Sequence, residues 1–267
     1  MNRKVKKIVG LVMAISLLTL NMGCMEARRI KASGNYITKE IKVSDFNAIR
    51  LQGSEDVLYS QSTNGVTSVK VYASDNVMDL IDVRVENETL VISHKKNFNI
   101  FGLGNNDKTK VIVCSPDLNN IRIQGSGDFL LKTAVKSSKM DISIQGSGDL
   151  KGNEIYCNEL STSIQGSGDL ALDKIKCETA EASVQGSGDI ALAGEARNVS
   201  LKTQGSGDIN AANLKGQNVT AITQGSGDIK CYATGFLKAQ IHGSGDISYR
   251  GKPNIDFNQN KKLNKMD

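Results

Sequence analysis

The chain has 267 residues, enough for one large domain or two small ones with a sizeable buried core. It contains 26 glycines but only 2 prolines and no tryptophan, a composition that excludes a proline-rich disordered chain. The net charge of +5 falls to about +1 without the N-terminal Arg3, Lys4, Lys6 and Lys7, so no nucleic-acid partner is predicted.

The N-terminal residues have the features of an export signal. The four basic residues precede Ile8–Leu20, an uncharged apolar run that is short for a membrane span and typical of a signal-peptide core. The run ends in LNMGC, where Gly23 precedes Cys24, and this resembles the lipidation motif of bacterial lipoproteins. We predict that residues 1–23 are a lipoprotein signal peptide and that Cys24 carries the lipid. A plain secretory signal cut elsewhere is the alternative.

Residues 24–42 are polar and are predicted to form a tether. The stretch AIRLQGSEDVLY at Ala48–Tyr59 nearly repeats NIRIQGSGDFLL at Asn120–Leu131, with Glu55 in place of a glycine. Between the two copies, apolar and polar residues alternate, and VENETLVI is typical of a hairpin. We therefore predict that residues 43–118 form an N-terminal β region, either of wide coils or of a capping sheet.

A five-residue motif, QGSGD, then recurs at a nearly fixed period. Copies start at Gln124, Gln145, Gln165, Gln185, Gln204 and Gln224, and a seventh starts at His242, where histidine replaces glutamine. A period near 20 residues is the signature of a solenoid with one coil per repeat.

Apolar residues in each repeat occur in pairs spaced by two, which is the period of a β-strand. Examples are Ile142 with Ile144 before the motif and Leu170 with Leu172 after it. Three such pairs per repeat predict three short strands per coil, and hence an all-β, single-stranded parallel β-helix over residues 119–250. We expect right-handed coils, because right-handed crossovers are preferred and the spacing is too irregular for the left-handed kind. Residues 251–267 are predicted to be a polar C-terminal tail.

The GSGD residues fall between two inward-pointing strands, where the coil must turn a corner. Glycine supplies backbone freedom there, and aspartate can accept hydrogen bonds from nearby N–H groups. The predicted corner residues are Gly125, Gly127, Asp128, Gly146, Gly148, Asp149, Gly166, Gly168, Asp169, Gly186, Gly188, Asp189, Gly205, Gly207, Asp208, Gly225, Gly227, Asp228, Gly243, Gly245 and Asp246.

Calcium binding is the rival interpretation of these corners, because glycine- and aspartate-rich repeats hold calcium in another β-roll. The candidate ligands would be Asp149, Asp169 and Asp189. Stacked carboxylates about 4.8 Å apart repel one another by roughly 1 kcal/mol per pair in water. They therefore need either backbone hydrogen bonds or a shared cation. The glutamines that precede the corners are expected to form an amide ladder, and no cofactor is predicted.

The remaining residues give little support for catalysis. The histidines are His94 and His242, and neither lies in a known catalytic motif. The spacing of the cysteines does not match zinc-binding motifs such as C-x2-C. Cys157 and Cys177 lie one repeat apart and are predicted to be neighbours in adjacent coils with free thiols. We predict no catalytic residues.

Three stretches carry a resemblance to a known family: ASGNYITKEIKVSDFNAIRLQGSEDVLY, SPDLNNIRIQGSGD and GDISYRGKPNI. With the GSGD repeats between them, they resemble the putative auto-transporter adhesin family, head GIN domain, over about residues 32–256. The resemblance implies an exported bacterial protein, often a lipoprotein, with a β-helical domain. It implies no catalytic residues.

The sequence therefore predicts a non-catalytic lipoprotein of the cell envelope that binds or adheres to an extended partner, either a glycan or an envelope protein. Two alternatives remain: a calcium-binding structural protein and a β-helical enzyme that degrades polysaccharides. The lipid would anchor the protein in the outer membrane. The periplasmic side is favoured because MEARRI, which follows Cys24, lacks an acidic cluster. The sequence does not specify an oligomeric state.

Overall fold

The computed structural model describes residues 28–95, 98–101, 109–257 and 263–266. The predicted signal peptide and the lipidation residue Cys24 lie outside this range. The described residues are almost entirely β-strands, most of them stacked in parallel into one solenoid. Within the described part of the chain, no helix is long and apolar enough to cross a membrane.

Among the residues that the structure describes, the N-terminal part contains nine strands and one short helix. They are β1 (Arg28–Lys31), β2 (Tyr36–Ile41), β3 (Ala48–Leu51), β4 (Asp56–Gln61), β5 (Ser68–Ser74), α1 (Asp75–Met78), β6 (Ile81–Glu86), β7 (Thr89–His94), β8 (Phe98–Phe101) and β9 (Lys110–Ser115).

The regular part follows. Its strands are β10 (Asn120–Ile123), β11 (Phe129–Leu131), β12 (Val135–Lys136), β13 (Lys139–Ile144), β14 (Leu150–Tyr156), β15 (Glu159–Ile164), β16 (Leu170–Val184), β17 (Ile190–Thr203), β18 (Ile209–Thr223), β19 (Ile229–Ile241), β20 (Ile247–Arg250), β21 (Asn254–Phe257) and β22 (Leu263–Lys265).

Each regular coil has three sides, and each side pairs in parallel with the same side of the next coil. Strands β16 and β17 show this most clearly, because each one continues along all three sides of its coil. Their pairing has one register shift, at the bend between the first and second of these sides. The paired segments are Leu170–Leu172 with Ile190–Leu192, Ile175–Cys177 with Gly194–Ala196, and Thr179–Val184 with Asn198–Thr203. The predicted β-helical solenoid with three strand segments per coil is confirmed.

The core is a set of columns, each built from one inward position of successive coils. Ile121, Ile142, Thr162 and Ala182 form one such column and are all almost completely buried. Burying an isoleucine or leucine side chain contributes about 1.5–3 kcal/mol, so the columns drive folding. Thr162 is tolerated because its hydroxyl donates to the Glu181 carbonyl oxygen at 3.0 Å.

The N-terminal strands are stacked in an order that differs from their order along the chain. Strand β3 lies between β7 and β10, and β4 lies between β9 and β11. The coil formed by β7 and β9 therefore lies beneath the coil formed by β3 and β4, although β7 and β9 come later in the sequence. Next to this lowest coil, β5 pairs with β9 and β6 pairs with β7, both in antiparallel register. These antiparallel strands end the parallel stack.

Strands also occur in both segments for which the sequence predicted none. In the predicted tether, β2 pairs antiparallel with β5, and Ile41 packs against the core opposite Val69. Without this strand, β5 would present an exposed, unpaired edge. In the predicted C-terminal tail, β21 pairs with β19, and β22 pairs with β20. Phe257 and Leu263 pack against the core, so the stack continues beyond residue 250.

Candidate functional site

The repeated corner is held together by backbone hydrogen bonds from one coil to the next. The N–H groups of Ser147 and Gly148 both donate to the Gly125 carbonyl oxygen, at 3.1 and 3.2 Å. One coil later, Ser167 and Gly168 donate to Gly146 in the same way, at 3.0 and 3.2 Å. One carbonyl of each corner therefore accepts two hydrogen bonds, and this draws successive corners into close contact.

Close contact explains why two positions of the corner are glycine. A Cβ atom on Gly168 would lie 2.1 Å from the Gly148 carbonyl oxygen, and one on Gly166 would lie 2.2 Å from the Gly146 carbonyl oxygen. The expectation that these glycines supply backbone freedom is wrong for most of the corners. Among the corner glycines, all of which lie in the described part of the chain, only Gly243 has a φ in the left-handed region, at +145°. Steric exclusion of a side chain, not an unusual φ, requires glycine.

The aspartates of the corners form a ladder that runs along the solenoid axis. In each coil, a side-chain oxygen of the aspartate accepts a hydrogen bond from the backbone N–H of the aspartate in the next coil. The seven bonds span 2.7–3.2 Å. They connect Asp56, Asp128, Asp149, Asp169, Asp189, Asp208, Asp228 and Asp246. Backbone hydrogen bonds are thus one source of compensation for the repulsion between stacked carboxylates.

An amide ladder lies on the other side of the corner. Gln52 donates to Gln124 and Gln124 donates to Gln145, at 3.1 and 2.9 Å between side-chain nitrogen and oxygen. Further along the axis, Gln185 donates to Gln204 at 2.9 Å and Gln204 to Gln224 at 2.7 Å. The corner therefore presents a row of amides and a row of carboxylates to the solvent.

A groove runs beside the aspartate ladder, on the side of the coil that follows each corner. One stretch of this groove has a volume of about 380 Å³. Carboxylates form one wall, small residues form the floor and a lysine lies at each end. The lining includes Asp169, Asp189, Asp208, Asp228, Ala171, Ala191, Lys151 and Lys230. Towards the N-terminal end, the groove continues past Asp149, Asp128, Leu130 and Leu58.

The structure does not bring the acidic residues together as a metal cage. Among the described residues, no group of three or more histidine, cysteine, aspartate or glutamate side chains could hold a metal ion. In Asp149 and Asp169, one carboxylate oxygen is already bonded to a backbone N–H of the next coil, at 2.9 Å in both cases. A calcium ion on the ladder would have to use the other oxygen of each carboxylate.

A buried ion pair lies at the first corner of the stack, and sequence reasoning missed it. Glu55 is fully buried, and its carboxylate oxygen lies 2.6 Å from Nε2 of His94. The two groups form an ion pair when the imidazole is protonated. The contact with Glu55 raises the pKa of His94, although burial of the imidazole acts in the opposite direction. The sequence signal was the single replacement of the second corner glycine by Glu55.

Comparison with known proteins assigns the chain to a family. The family model described as putative auto-transporter adhesin, head GIN domain, matches residues 45–173 and 153–253. The chain belongs to this family. The description of the family as auto-transporter adhesins is that of exported, envelope-associated proteins. No curated protein matches the sequence.

Solved structures of similar proteins share the fold. A putative lipid binding protein from Parabacteroides distasonis ATCC 8503 is 30% identical, with a TM-score of 0.82, over 90% of this chain and 100% of that chain. A putative adhesin from Bacteroides fragilis NCTC 9343 is 32% identical, with a TM-score of 0.65, over 88% of this chain and 95% of that chain. A putative adhesin from Parabacteroides merdae ATCC 43184 is 25% identical, with a TM-score of 0.78, over 90% of this chain and 97% of that chain.

The steric account of the corner predicts a large loss of stability for one substitution and almost none for the substitution next to it. Gly168→Ala should lower the free energy of unfolding by about 1–3 kcal/mol or more, because its methyl group would overlap a backbone carbonyl. Asp169→Asn should change it by less than about 0.5 kcal/mol, because the amide oxygen can accept the same hydrogen bond. Denaturant unfolding of both variants, with Ser167→Ala as a control in the same corner, measures the difference.

Repeating these measurements with calcium and with a chelator separates the two interpretations of the ladder. We expect the same stability in both solutions. If the chelator destabilised the wild-type protein and Asp169→Asn removed that effect, calcium would be a structural part of the corner.

The ion pair predicts a pH dependence of stability. Because the pKa of His94 is raised in the folded protein, the folded state holds this proton more tightly than the unfolded chain. The resulting stabilisation is complete below the ordinary histidine pKa of about 6.5 and is lost as the pH rises through the raised value. Melting temperatures measured across this range should therefore fall with rising pH.

His94→Gln should remove the part of this fall that the ion pair causes, whereas the matched control His242→Gln should keep it. Equal pH dependence in the wild type and His94→Gln would contradict the assignment.

Proposed function

We propose that the protein is a non-catalytic lipoprotein of the cell envelope that binds an extended partner in the groove beside the aspartate ladder. The observation that carries this proposal is that the groove offers the same chemistry in successive coils, along the axis of the solenoid. A groove of this kind suits a partner that is itself long and repetitive.

The chemistry of the groove favours a glycan. Asp169, Asp189 and Asp208 each use one carboxylate oxygen for the backbone of the next coil, and all three are exposed to solvent. A second carboxylate oxygen can accept a hydrogen bond from a sugar hydroxyl. Ala171 and Ala191 leave a shallow apolar floor on which a sugar ring can lie.

The negative charge of the ladder also supports a role outside the fold. An asparagine at each corner could accept the same backbone hydrogen bond without a charge. Carboxylates make stronger hydrogen bonds than amides, but neighbouring carboxylates repel one another by roughly 1 kcal/mol per pair in water. The fold therefore gains little from the charge, and a row of carboxylates is better explained by a partner that it recognises.

A catalytic role is not favoured by the arrangement of the titratable groups. Glycoside cleavage uses a pair of carboxylates with different roles and environments, whereas the ladder carboxylates are equivalent to one another. Glu55 and His94 do form a non-repeated pair, but Glu55 is fully buried and cannot contact a polymer.

The groove proposal predicts a loss of binding without a loss of stability. The double variant Asp169→Asn with Asp189→Asn should bind a soluble envelope polysaccharide at least about tenfold more weakly, because two charged acceptors become neutral and weaker. Asp141→Asn is the matched control, since Asp141 lies on the side that precedes the corner. Titration calorimetry with both variants measures the effect.

Binding that is equal in the wild type and both variants would contradict the groove as the site. Binding of an extended peptide but of no glycan would leave the groove as the site and change the class of partner.

Lipidation at Cys24 is the second part of the proposal. The first described strand begins at Arg28, so an anchor at Cys24 would hold the N-terminal end of the solenoid near the membrane. Cys24→Ser should release the protein from the membrane fraction into the soluble fraction. Mass spectrometry should find lipid on the N-terminal cysteine of the wild type. An unmodified N-terminus at another residue would show that a plain secretory signal was cut instead.

A further inference from the structure

Cys157 and Cys177 occupy equivalent positions in two successive coils, at the end of the second side. The residues before them, Tyr156 and Lys176, are register partners, and the Cys157 N–H donates to the Lys176 carbonyl oxygen at 3.2 Å. The two thiols face each other closely enough that each alters the pKa of the other. In the next coil this position is Ala196, so the two cysteines form an isolated pair.

Equivalent positions in adjacent coils have a Cα separation within the range that a disulfide spans. Adjacent strands in a sheet lie about 4.8 Å apart, and Cα atoms joined by a disulfide lie about 4.4–6.8 Å apart. Both thiols are free and only partly buried. Reaction with a small molecule from solvent is therefore geometrically possible.

The surroundings favour Cys157 as the reacting thiol. Its pKa is lowered by the hydrogen bond from Cys177. Cys177 borders a surface groove that also contains Lys176, Arg197 and Lys215. These three cations outnumber the one carboxylate of the groove, Glu195, and can attract an anionic oxidant to the cysteine pair.

We propose that Cys157 and Cys177 form a redox-active dithiol that a small-molecule disulfide converts into a cross-link between two coils. The Cys157 thiolate attacks one sulfur of the small disulfide, whose S–S bond breaks to release a thiolate. Cys177 then loses its proton to solvent, and its sulfur attacks the Cys157 sulfur and displaces the second small thiolate. Two electrons pass to the small disulfide, which becomes two thiols, and the two protons of the cysteine pair are released to water or taken up by these products. Exported proteins meet such oxidants.

The cross-link would change the stability of the solenoid. It closes a loop of one repeat in the unfolded chain, and this lowers the entropy of the unfolded state. The oxidised protein should therefore melt at a higher temperature than the reduced protein. The coils on either side of the pair should also become more resistant to local opening.

Oxidised glutathione is the probe for the test. The reduced full chain is incubated with it under native conditions, and the remaining thiols are then labelled with a maleimide after unfolding. Mass spectrometry of proteolytic fragments should show Cys157 linked to Cys177, while Cys114 and Cys231 carry the label. A reductant should reverse the link, and the melting temperature should rise on oxidation and fall on reduction.

The single variants Cys157→Ser and Cys177→Ser complete the test, with circular dichroism to show that each has folded. Cys177→Ser should retain glutathione on Cys157 as a mixed disulfide, and neither variant should show an oxidant-dependent change in melting temperature. The proposal is overturned if the folded wild type keeps both thiols under conditions that oxidise a simple dithiol, if Cys157 or Cys177 instead pairs with Cys114 or Cys231, or if cross-linking occurs only after unfolding.

Discussion

The structure depends on the close stacking of one backbone corner on the next. Two glycines per corner allow this approach, and bifurcated hydrogen bonds to the carbonyl of the first glycine hold it, as in the pair Gly125 and Gly146. Because a corner is rigid and repeated, it also sets the register of the strands that enter and leave it. The inward isoleucines and leucines then fall into columns without further adjustment. The aspartate and glutamine ladders follow from the same register.

The same constraint explains the N-terminal end of the stack. A glycine is needed at the second position only where another corner lies beneath it. Beneath the first corner lies the strand that ends at His94, and the second position of this corner can therefore hold Glu55. The carbonyl oxygen of Glu55 still requires a glycine in the corner above, because a Cβ on Gly127 would collide with this oxygen. Beyond this point the strands turn antiparallel, and β2 and β6 become the outermost strands. The regular repeat thus ends at the coil where its steric requirement ends.

The sequence was sufficient to predict the repeated part of the fold and not its ends. A period near 20 residues and apolar pairs such as Ile142 and Ile144 are local signals, and they specify a coil without any knowledge of its neighbours. The sequence predicted a corner at Gly168, but the reason it suggested for a glycine there was wrong, because a contact with Gly148 cannot be read from φ preferences. Strands β2 and β22 depend on pairing with strands that are distant in the sequence, and their own residues are exposed or only partly buried. The pairing of Glu55 with His94 required the stacking order, which differs from the chain order.

A rigid ladder also determines how the groove would bind. The backbone hydrogen bonds to Asp169 and Asp189 fix the orientation of these carboxylates before any partner arrives. Binding to preorganised groups avoids the entropy cost of ordering side chains, which is about 0.5–1.5 kcal/mol for each flexible one. A partner that contacts several coils at once gains affinity from each coil, because every contact after the first forms within the same complex. Affinity should therefore rise with the length of the partner until the groove is filled. This length dependence distinguishes a ladder binder from a protein with one pocket.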